Sequence, residues 1–446
     1  MFGVKALHKP RTHPGEVPSS PTAERLHLDP LPFRERVLPN GLRAITLEDH
    51  RSATAAVNIA YSVGGKDDPP GRSGFAHLFE HLMFKGTKRT GAETIDRLTE
   101  DVGGFNNAFT TEDYTNYYEV IPSNYLETIL WAEADRLSGL IVDAANFETE
   151  REVVIGEYDQ RVLAEPYGML GELAIREAYH VHPYGRGVIG DPENLRAATL
   201  EDVRAFHATY YRPDNATLVV VGDFESDMID KWIDDYFGPI AHAKSEIPRV
   251  TSLEPGAERE RRLSYQSANA PLPALSLSWH IGRARDGEMP VLDMIETLLG
   301  TGKSSRLYRS LVYEHQVATS VWTGADWNED PGLFTIRAIA AAGAELQRIE
   351  ALIDEQIAAI ASHPVDAAEL EKAKVQLYSG TVRGLSTYNE IAQTIVRSAV
   401  VRGSARMLDD DVARYNAVGA AAIRDVAART FVPEKRSAID YLAVSA

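Results

Sequence analysis

Apolar positions along the chain change period several times, from the alternation of a strand to the wider spacing of a helix. The first apolar segments are short and strand-like, and Asn40-Gly41 between two of them favours a tight hairpin turn. The pattern predicts strands at 34–38, 42–47 and 54–63, a helix through 77–81, a helix at 94–102, strands at 105–110 and 114–121, helices at 124–140, 147–163, 169–179 and 200–210, a strand at 216–221 and a helix ending near Phe237.

The same order of periods restarts in the second part of the chain. Between the two parts, residues 241–260 contain prolines, lysine and serine without clear periodicity. After them the pattern predicts strands within 261–281, helices at 288–299 and 304–314, strands at 317–325 and 332–340, and helices at 346–360, 367–382, 388–401 and 412–430.

This repeated order predicts an α+β fold that arose by duplication and has since diverged. Each of two homologous halves would contain a mostly antiparallel sheet packed with helices. The predicted division is a flexible N-terminal arm at 1–32, a first domain at 33–240, a linker at 241–260 and a second domain at 261–446.

Composition narrows the class of protein. The chain has 446 residues, 46 Lys plus Arg against 65 Asp plus Glu, and a net charge of −19. This charge argues against general binding to nucleic acid or to anionic lipid. The chain has no cysteine, which excludes disulfides, thiol catalysis and cysteine-bound metal.

Apolar runs along the chain are all too short to span a membrane. None approaches the ~20 residues that a spanning helix needs. Residues 1–32 also lack the apolar core of a signal peptide. We therefore expect a cytoplasmic protein, and a periplasmic location would require a signal that had been removed.

The predicted helix through 77–81 carries the first candidate chemistry, with Ser73 as its expected N-cap. His77 and His81 are four residues apart, so they share one helical face and can hold one zinc ion. Glu80 looks toward that face and is a candidate general base. The order His-x-x-Glu-His is that of the inverzincin metallopeptidases.

A zinc site of this kind needs a third ligand, commonly a carboxylate. The predicted helix at 147–163 offers Glu148, Glu150, Glu152 and Glu157. Glu150 and Glu157 are seven residues apart and share one face, so one could bind the metal while the other orients a histidine. Residue numbers alone do not choose among the four.

These motifs together resemble the family of pitrilysin, insulin-degrading enzyme and mitochondrial processing peptidase. In that family His-x-x-Glu-His is followed, roughly 75 residues later, by Glu-Arg-x-Val-x-x-x-Glu. Residues 150–157 match this second motif, and 157 − 81 gives 76. The resemblance implies one Zn²⁺ per chain, with His77, His81 and Glu157 as ligands, Glu80 as catalytic base and Glu150 as supporting catalytic carboxylate.

The resemblance extends over about residues 33–440 and suggests how substrate binds. Residues 104–110 resemble the family's substrate-binding edge strand, which implies that Asn107 and Ala108 bind peptides. An extended peptide would add to the sheet there through main-chain hydrogen bonds. By contrast, we interpret His180 and His182 as structural, and Gly302-Lys303-Ser304 lacks the first glycine of a phosphate loop.

The second half departs from the family pattern at two positions. Complete members carry an Arg and a Tyr, seven residues apart, that reach the zinc site and stabilise the developing oxyanion. Here Val312 and Thr319 stand in their places. Arg306 and Tyr313 are also seven apart, but Arg306 belongs to a different family-like segment, so we interpret that spacing as coincidental.

The sequence therefore predicts a zinc metalloendopeptidase that cleaves extended or unfolded peptides. It would be the zinc-bearing subunit of a heterodimer whose paralogous partner supplies Arg and Tyr. One alternative is a non-catalytic scaffold subunit of the same fold, although the complete metal motif argues against it. Another is a metal-dependent hydrolase of small substrates, although the edge-strand segment favours peptides.

Overall fold

The computed structural model of the protein describes residues 26–241 and 244–444. The first half forms a six-stranded sheet in which β2 and β6 are parallel and all other neighbours are antiparallel. Its order is β1-β2-β6-β3-β5-β4, with β1 at Arg34–Val37, β2 at Arg43–Glu48, β3 at Thr54–Tyr61, β4 at Phe105–Thr110, β5 at Thr115–Pro122 and β6 at Ala216–Gly222.

The second half forms a five-stranded sheet in which only β7 and β11 are parallel neighbours. Leaving β1 aside, the two orders correspond strand for strand, which confirms the predicted α+β fold with two homologous halves. The strand at 436–443 was not predicted. The order is β7-β11-β8-β10-β9, with β7 at Arg261–Ser267, β8 at Ala274–His280, β9 at Ala318–Ala325, β10 at Leu333–Ala340 and β11 at Arg436–Ala443.

Helices lie between the strands in both halves. In the first half they are α1 at Phe75–Leu82, α2 at Thr94–Glu100, α3 at Leu126–Gly139, α4 at Ala144–Tyr158, α5 at Gly168–Ala178, α6 at Pro192–Arg196, α7 at Leu200–Tyr210 and α8 at Ser226–Phe237. In the second half they are α9 at Met289–Gly300, α10 at Leu346–Ser362, α11 at Ala367–Arg383, α12 at Tyr388–Val401, α13 at Asp411–Ala417 and α14 at Ala420–Thr430.

Three helix predictions differ from the structure. The helix predicted at 147–163 ends at Tyr158 and continues as wider π-helical turns at Asp159–Ala164. The helix predicted at 304–314 is also largely π-helical, over Tyr308–Glu314. The single helix predicted at 412–430 is broken, because Val418 and Gly419 adopt extended backbone conformations between α13 and α14.

The two halves exchange one helix each. Helix α12, the third after β10, lies on the first sheet, where its buried Ile395 belongs to one apolar cluster with Val219. Helix α5, the third after β5, lies on the second sheet, where Leu170 shares a cluster with Ile439. Each half also has its own core.

The predicted domain boundaries remain predictions, but the structure shows contacts at two of them. Residues 1–25 of the predicted arm lie outside the described residues. Leu31 is buried, and its backbone N–H donates to Asp409 in the second half. Glu254, within the predicted linker, accepts backbone N–H groups of residues 180–182. No helix in the described ranges is long and apolar enough to cross a membrane.

Candidate metal centre

Helix α1 begins differently from the prediction. Gly74, in the left-handed region at φ 95°, is the N-cap, and the predicted cap Ser73 makes no capping bond. The buried carboxylate of Asp68 accepts the N–H groups of Gly74 and Ala76 at 2.6 and 2.9 Å. The Ser73 hydroxyl instead accepts the N–H of Asp191. The start of α1 is therefore capped by Asp68, six residues before Gly74, and the prediction of Ser73 as the cap was wrong.

Three of the predicted site residues converge at the face of α1. His77 and His81 lie one turn apart on α1, and Glu157 lies near the end of α4, which packs against α1. Glu157 Oε2 is 3.7 Å from His77 Nε2 and 3.4 Å from His81 Nε2. One potential ligand atom from each residue lies within 4.8 Å of the others.

This donor set fits a zinc ion. Ligand atoms about 2.1 Å from a tetrahedral ion lie roughly 3.4 Å from one another, close to the separations between Glu157 and the histidines. Two histidines and one glutamate leave a fourth position open, which is the ligand count of a catalytic site. The residues present are therefore chemically and spatially suited to the metal.

Burial sets the charge state of the first histidine. Burial, together with the nearby charges of His81 and Arg161, lowers the pKa of His77 to about 3, so the ring is neutral and able to bind metal. Burial also lowers the pKa of His81, but the hydrogen bond to Glu150 and the charge of Glu157 outweigh it and raise that pKa above its usual value. His81 is thus the more basic ring.

Glu150 and Glu157 each have a cation on the oxygen that does not face the histidines. Glu150 Oε2 is 3.4 Å from His81 Nδ1, and its Oε1 is 2.9 Å from Lys85 Nζ. Glu157 Oε1 is 2.8 Å from Arg161 Nη1. The structure therefore places Glu157 beside the Nε2 atoms of both histidines and Glu150 beside Nδ1 of His81.

The other two carboxylates offered by α4, Glu148 and Glu152, are exposed to solvent.

Glu80 faces the site from α1, and burial raises the pKa of its carboxyl group above the usual value. Its Oε2 accepts a hydrogen bond of 2.6 Å from the hydroxyl of Thr110, the last residue of β4. A carboxylate with a raised pKa is suited to accept and return a proton.

Strand β4, with the predicted substrate residues, is the terminal strand of the first sheet and, among the residues that the structure describes, pairs only with β5. The backbone N–H of Ala108 donates to the side-chain Oδ1 of Asn107 at 2.8 Å. The two residues therefore lie on an available sheet edge, and Thr110 joins that edge to Glu80.

The second-half positions that depart from the family pattern lie on other elements than those that carry the metal group. Val312 is in the π-helical segment, and Thr319 is exposed on β9. Arg306 is held by two bonds to Glu369 of α11, at 2.9 and 2.6 Å, and Tyr313 is 75% exposed. Arg306 thus has a local partner within the second half, consistent with a coincidental spacing.

The histidines at 180 and 182 lie outside the metal group. His182 Nδ1 accepts the N–H of Tyr184 and caps the short turn at Pro183–Arg186.

Three residues that contact the site were not predicted from the sequence: Lys85, Arg161 and Thr110. Arg161 follows its partner Glu157 by four residues, a helical spacing that is a usable signal, whereas Lys85 lies beyond the end of α1 and its partner Glu150 is on α4. Thr110 comes from a separate strand and gives no such signal.

Two family models and several known proteins match this chain. Residues 43–192 match the family model described as insulinase (peptidase family M16), and residues 197–377 match that of the peptidase M16 inactive domain. The zinc protease PqqE of Helicobacter pylori is 28% identical over 81% of this chain and 82% of its own.

Two further relatives match over most of the chain. An Arabidopsis thaliana protein named probable mitochondrial-processing peptidase subunit beta is 24% identical over 88% of this chain and 75% of its own. A crystal structure of a protease from Helicobacter pylori superposes with a TM-score of 0.88 at 26% identity, covering 92% of this chain and 99% of that one. This chain therefore belongs to the M16 family of peptidases.

Proposed function

We propose that the protein is a zinc metalloendopeptidase that cleaves extended or unfolded peptides. The observation that carries the proposal is the convergence of His77, His81 and Glu157 on one point beside Glu80. Zinc, when bound by these three residues, supplies a Lewis acid that acidifies water and polarises a carbonyl group.

The residues of this chain then have distinct roles in hydrolysis. Glu80 accepts the proton of the attacking water at Oε1, because Thr110 occupies Oε2. It later returns that proton to the leaving amine. The neutral ring of His77 and the carboxylate of Glu157 bind the metal, while Glu150 holds the ring of His81 in place.

Substrate would bind along β4. Within residues 26–241 and 244–444 no strand pairs with the outer edge of β4, and an extended peptide can complete the hydrogen bonds of that edge. Such recognition reads the peptide backbone more than its side chains. It therefore suits unfolded or short peptides of varied sequence.

The proposal includes a paralogous partner. Val312 and Thr319 cannot donate the hydrogen bonds that an arginine and a tyrosine give to an oxyanion, because valine has no donor and the Thr319 hydroxyl is directed to Ile339 O at 3.3 Å. We propose that a second subunit of the family supplies these groups. The likeness to a protein named as a β subunit supports a paired arrangement.

The first test pairs two site variants with a matched control. Glu80→Gln should retain zinc and lose at least about 100-fold in turnover of an unstructured peptide, because it cannot accept a proton. Glu157→Ala should lose zinc as measured by metal analysis. Glu148→Ala, an exposed carboxylate on the same helix, should leave both unchanged.

Two results would contradict these assignments. Zinc retained at wild-type level by Glu157→Ala would refute its role as a ligand. A wild-type chain with no zinc and no chelator-sensitive cleavage, with or without a partner, would favour the scaffold alternative.

The partner is tested by adding a paralogue that carries Arg and Tyr. The purified chain should bind zinc but cleave slowly alone, and the mixture should cleave much faster. Full activity of the isolated chain, unchanged by the paralogue, would refute the heterodimer.

A further inference from the structure

The supporting carboxylate Glu150 and the proposed ligand Glu157 are each held by a cation, but the two ion pairs differ in environment. In the first pair, the side chain of Lys85 is 30% exposed and that of Glu150 is 5% exposed, with 2.9 Å between Nζ and Oε1. In the second, Arg161 is 72% exposed and Glu157 is 15% exposed. The first pair is therefore much better shielded from water.

A buried carboxylate needs partners for both of its oxygens. His81 Nδ1 and Lys85 Nζ provide one for each oxygen of Glu150. If Lys85 were absent, Oε1 would lose its cation, and the carboxylate could rotate or draw its second oxygen toward His81. The direction of the His81 ring depends on which oxygen of Glu150 accepts from Nδ1–H.

We propose that Lys85 is a positioning residue of the metal centre, which acts on zinc through Glu150 and His81. By fixing Glu150 Oε1, it leaves Oε2 to accept the Nδ1 proton of His81. The ring then presents the lone pair of Nε2 toward Glu157 Oε2, which is 3.4 Å away. The inference rests on the proposed zinc-binding function and assigns a role to a residue that touches neither the metal nor a substrate.

The position of Lys85 explains how it reaches Glu150. It lies three residues after the end of α1, and its N–H donates to the carbonyl of Leu82, so the chain turns back at the end of the helix. Its side chain thus approaches α4 from the same end of α1 as His81. Lys88, in the following loop, is exposed, and its backbone N–H pairs with Gly139 O.

The difference in exposure between Lys85 and Arg161 predicts which of the two contributes more to zinc binding. Exposed ion pairs contribute little, because water and salt screen them, whereas a shielded pair keeps its strength. Removing the lysine ammonium should therefore weaken zinc binding more than removing the Arg161 guanidinium. An arginine at position 85 would keep the charge and should restore most of the binding.

The test measures the dissociation constant of Zn²⁺ itself, by competition with a chromophoric chelator, without any peptide. Lys85→Met should weaken zinc binding about 10- to 100-fold, the range typical of residues that support a ligand. Lys85→Arg should recover most of that loss, Arg161→Met should lose less than Lys85→Met, and Lys88→Met should bind like the wild type. Thermal midpoints of the metal-free variants report any general loss of stability.

Each contrary outcome has a definite meaning. Wild-type zinc affinity in Lys85→Met would overturn the inference while leaving the proposed function intact. So would an equal loss in Lys88→Met, or a loss that Lys85→Arg does not recover. A wild-type chain that binds no zinc would overturn the inference and the proposed function together. Zinc binding without peptidase activity, both alone and with the paralogue added, would refute only the proposed function.

Discussion

At the scale of single residues, the contact between Thr110 and Glu80 decides which oxygen of the base is available. The Thr110 hydroxyl donates to Glu80 Oε2 at 2.6 Å. The hydroxyl of Thr115 lies 3.5 Å from the hydroxyl oxygen of Thr110. Thr115 in turn donates to the carbonyl of Val63. A base with one oxygen fixed in this way has a defined direction, which proton transfer requires.

We therefore expect Thr110→Val to reduce turnover by up to about 100-fold, the cost typical of a misplaced reacting group. KM and bound zinc should change little, because neither the ligands nor the β4 edge loses a group. Thr110→Ser keeps the hydroxyl and should retain most activity. Steady-state kinetics with metal analysis make the comparison, and equal activity in Thr110→Val and the wild type would show that Glu80 needs no such support.

The site was predictable only where spacing along one helix fixes direction. His77, Glu80 and His81 lie within five positions of α1, so their shared face follows from helical geometry. Glu150 and Glu157 required the family resemblance, since four carboxylates were open by position alone. Thr110 was not predictable, because its contact with Glu80 joins a strand to a helix 30 residues earlier.

At the scale of the element, strand β4 has a donor that its sheet does not use. The N–H of Ala108 points to the side chain of Asn107 instead of to β5. A peptide that adds to this edge would compete with the Asn107 amide oxygen for that N–H. The side chain of Asn107 therefore covers the edge in the absence of substrate.

Ala108→Pro removes this one donor. No hydrogen bond between β4 and β5 is lost at that position, because the N–H of Ala108 points away from β5. We expect KM for an extended peptide to rise roughly 3- to 10-fold, the equivalent of one backbone hydrogen bond, with kcat little changed. Asn107→Ala should keep KM the same or lower it, because the donor is freed. Thermal midpoints check that both variants fold, and an unchanged KM in a folded Ala108→Pro would place the peptide elsewhere.

Elements were predictable where local pattern and local partners coincide. Strands β1 and β2 were predicted because Asn40-Gly41 sets a hairpin between them. Strand β11 was missed, since it is stabilised by pairing with β7, and the paired residues Ser437 and Arg261 are 437 − 261 = 176 positions apart in the chain. The apolar face of α12 was visible in the sequence, but its packing on the sheet of the other half was not.

At the scale of the whole molecule, helix exchange and a buried charge cluster join the halves. Lys66 contacts Asp113 at 2.8 Å within the first half and Glu329 of the second half at 2.7 Å. The N–H of Glu329 donates to Asp113, which also accepts the hydroxyl of Tyr184. Separating the halves would expose the apolar faces of α5 and α12 and break this cluster, so we expect the halves to move as one body.

Several acids near this junction are held partly protonated by burial. Burial raises the pKa of Glu112, Asp293 and Glu296 to about 7 in each case, and that of Asp326 to about 6. The charge of Asp326 contributes to the raised pKa of Glu112 and of Glu296. The ionised forms are thus less favourable in the folded protein than in the unfolded chain.

This excess of protons in the folded state predicts a stability that falls as pH rises. For Glu296, the contribution is complete below the usual pKa near 4.5 and is lost as pH rises through about 7, at a cost of at most about 3 kcal/mol. The thermal midpoint of the metal-free protein should therefore be lower at pH 8 than at pH 5.5. Glu296→Gln keeps an oxygen to accept the N–H of Ala325 and carries no charge, so its midpoint should fall less. Glu355→Gln, at an exposed site on α10, should behave like the wild type, and equal midpoint changes in all three proteins would refute the proposed cost of ionising Glu296.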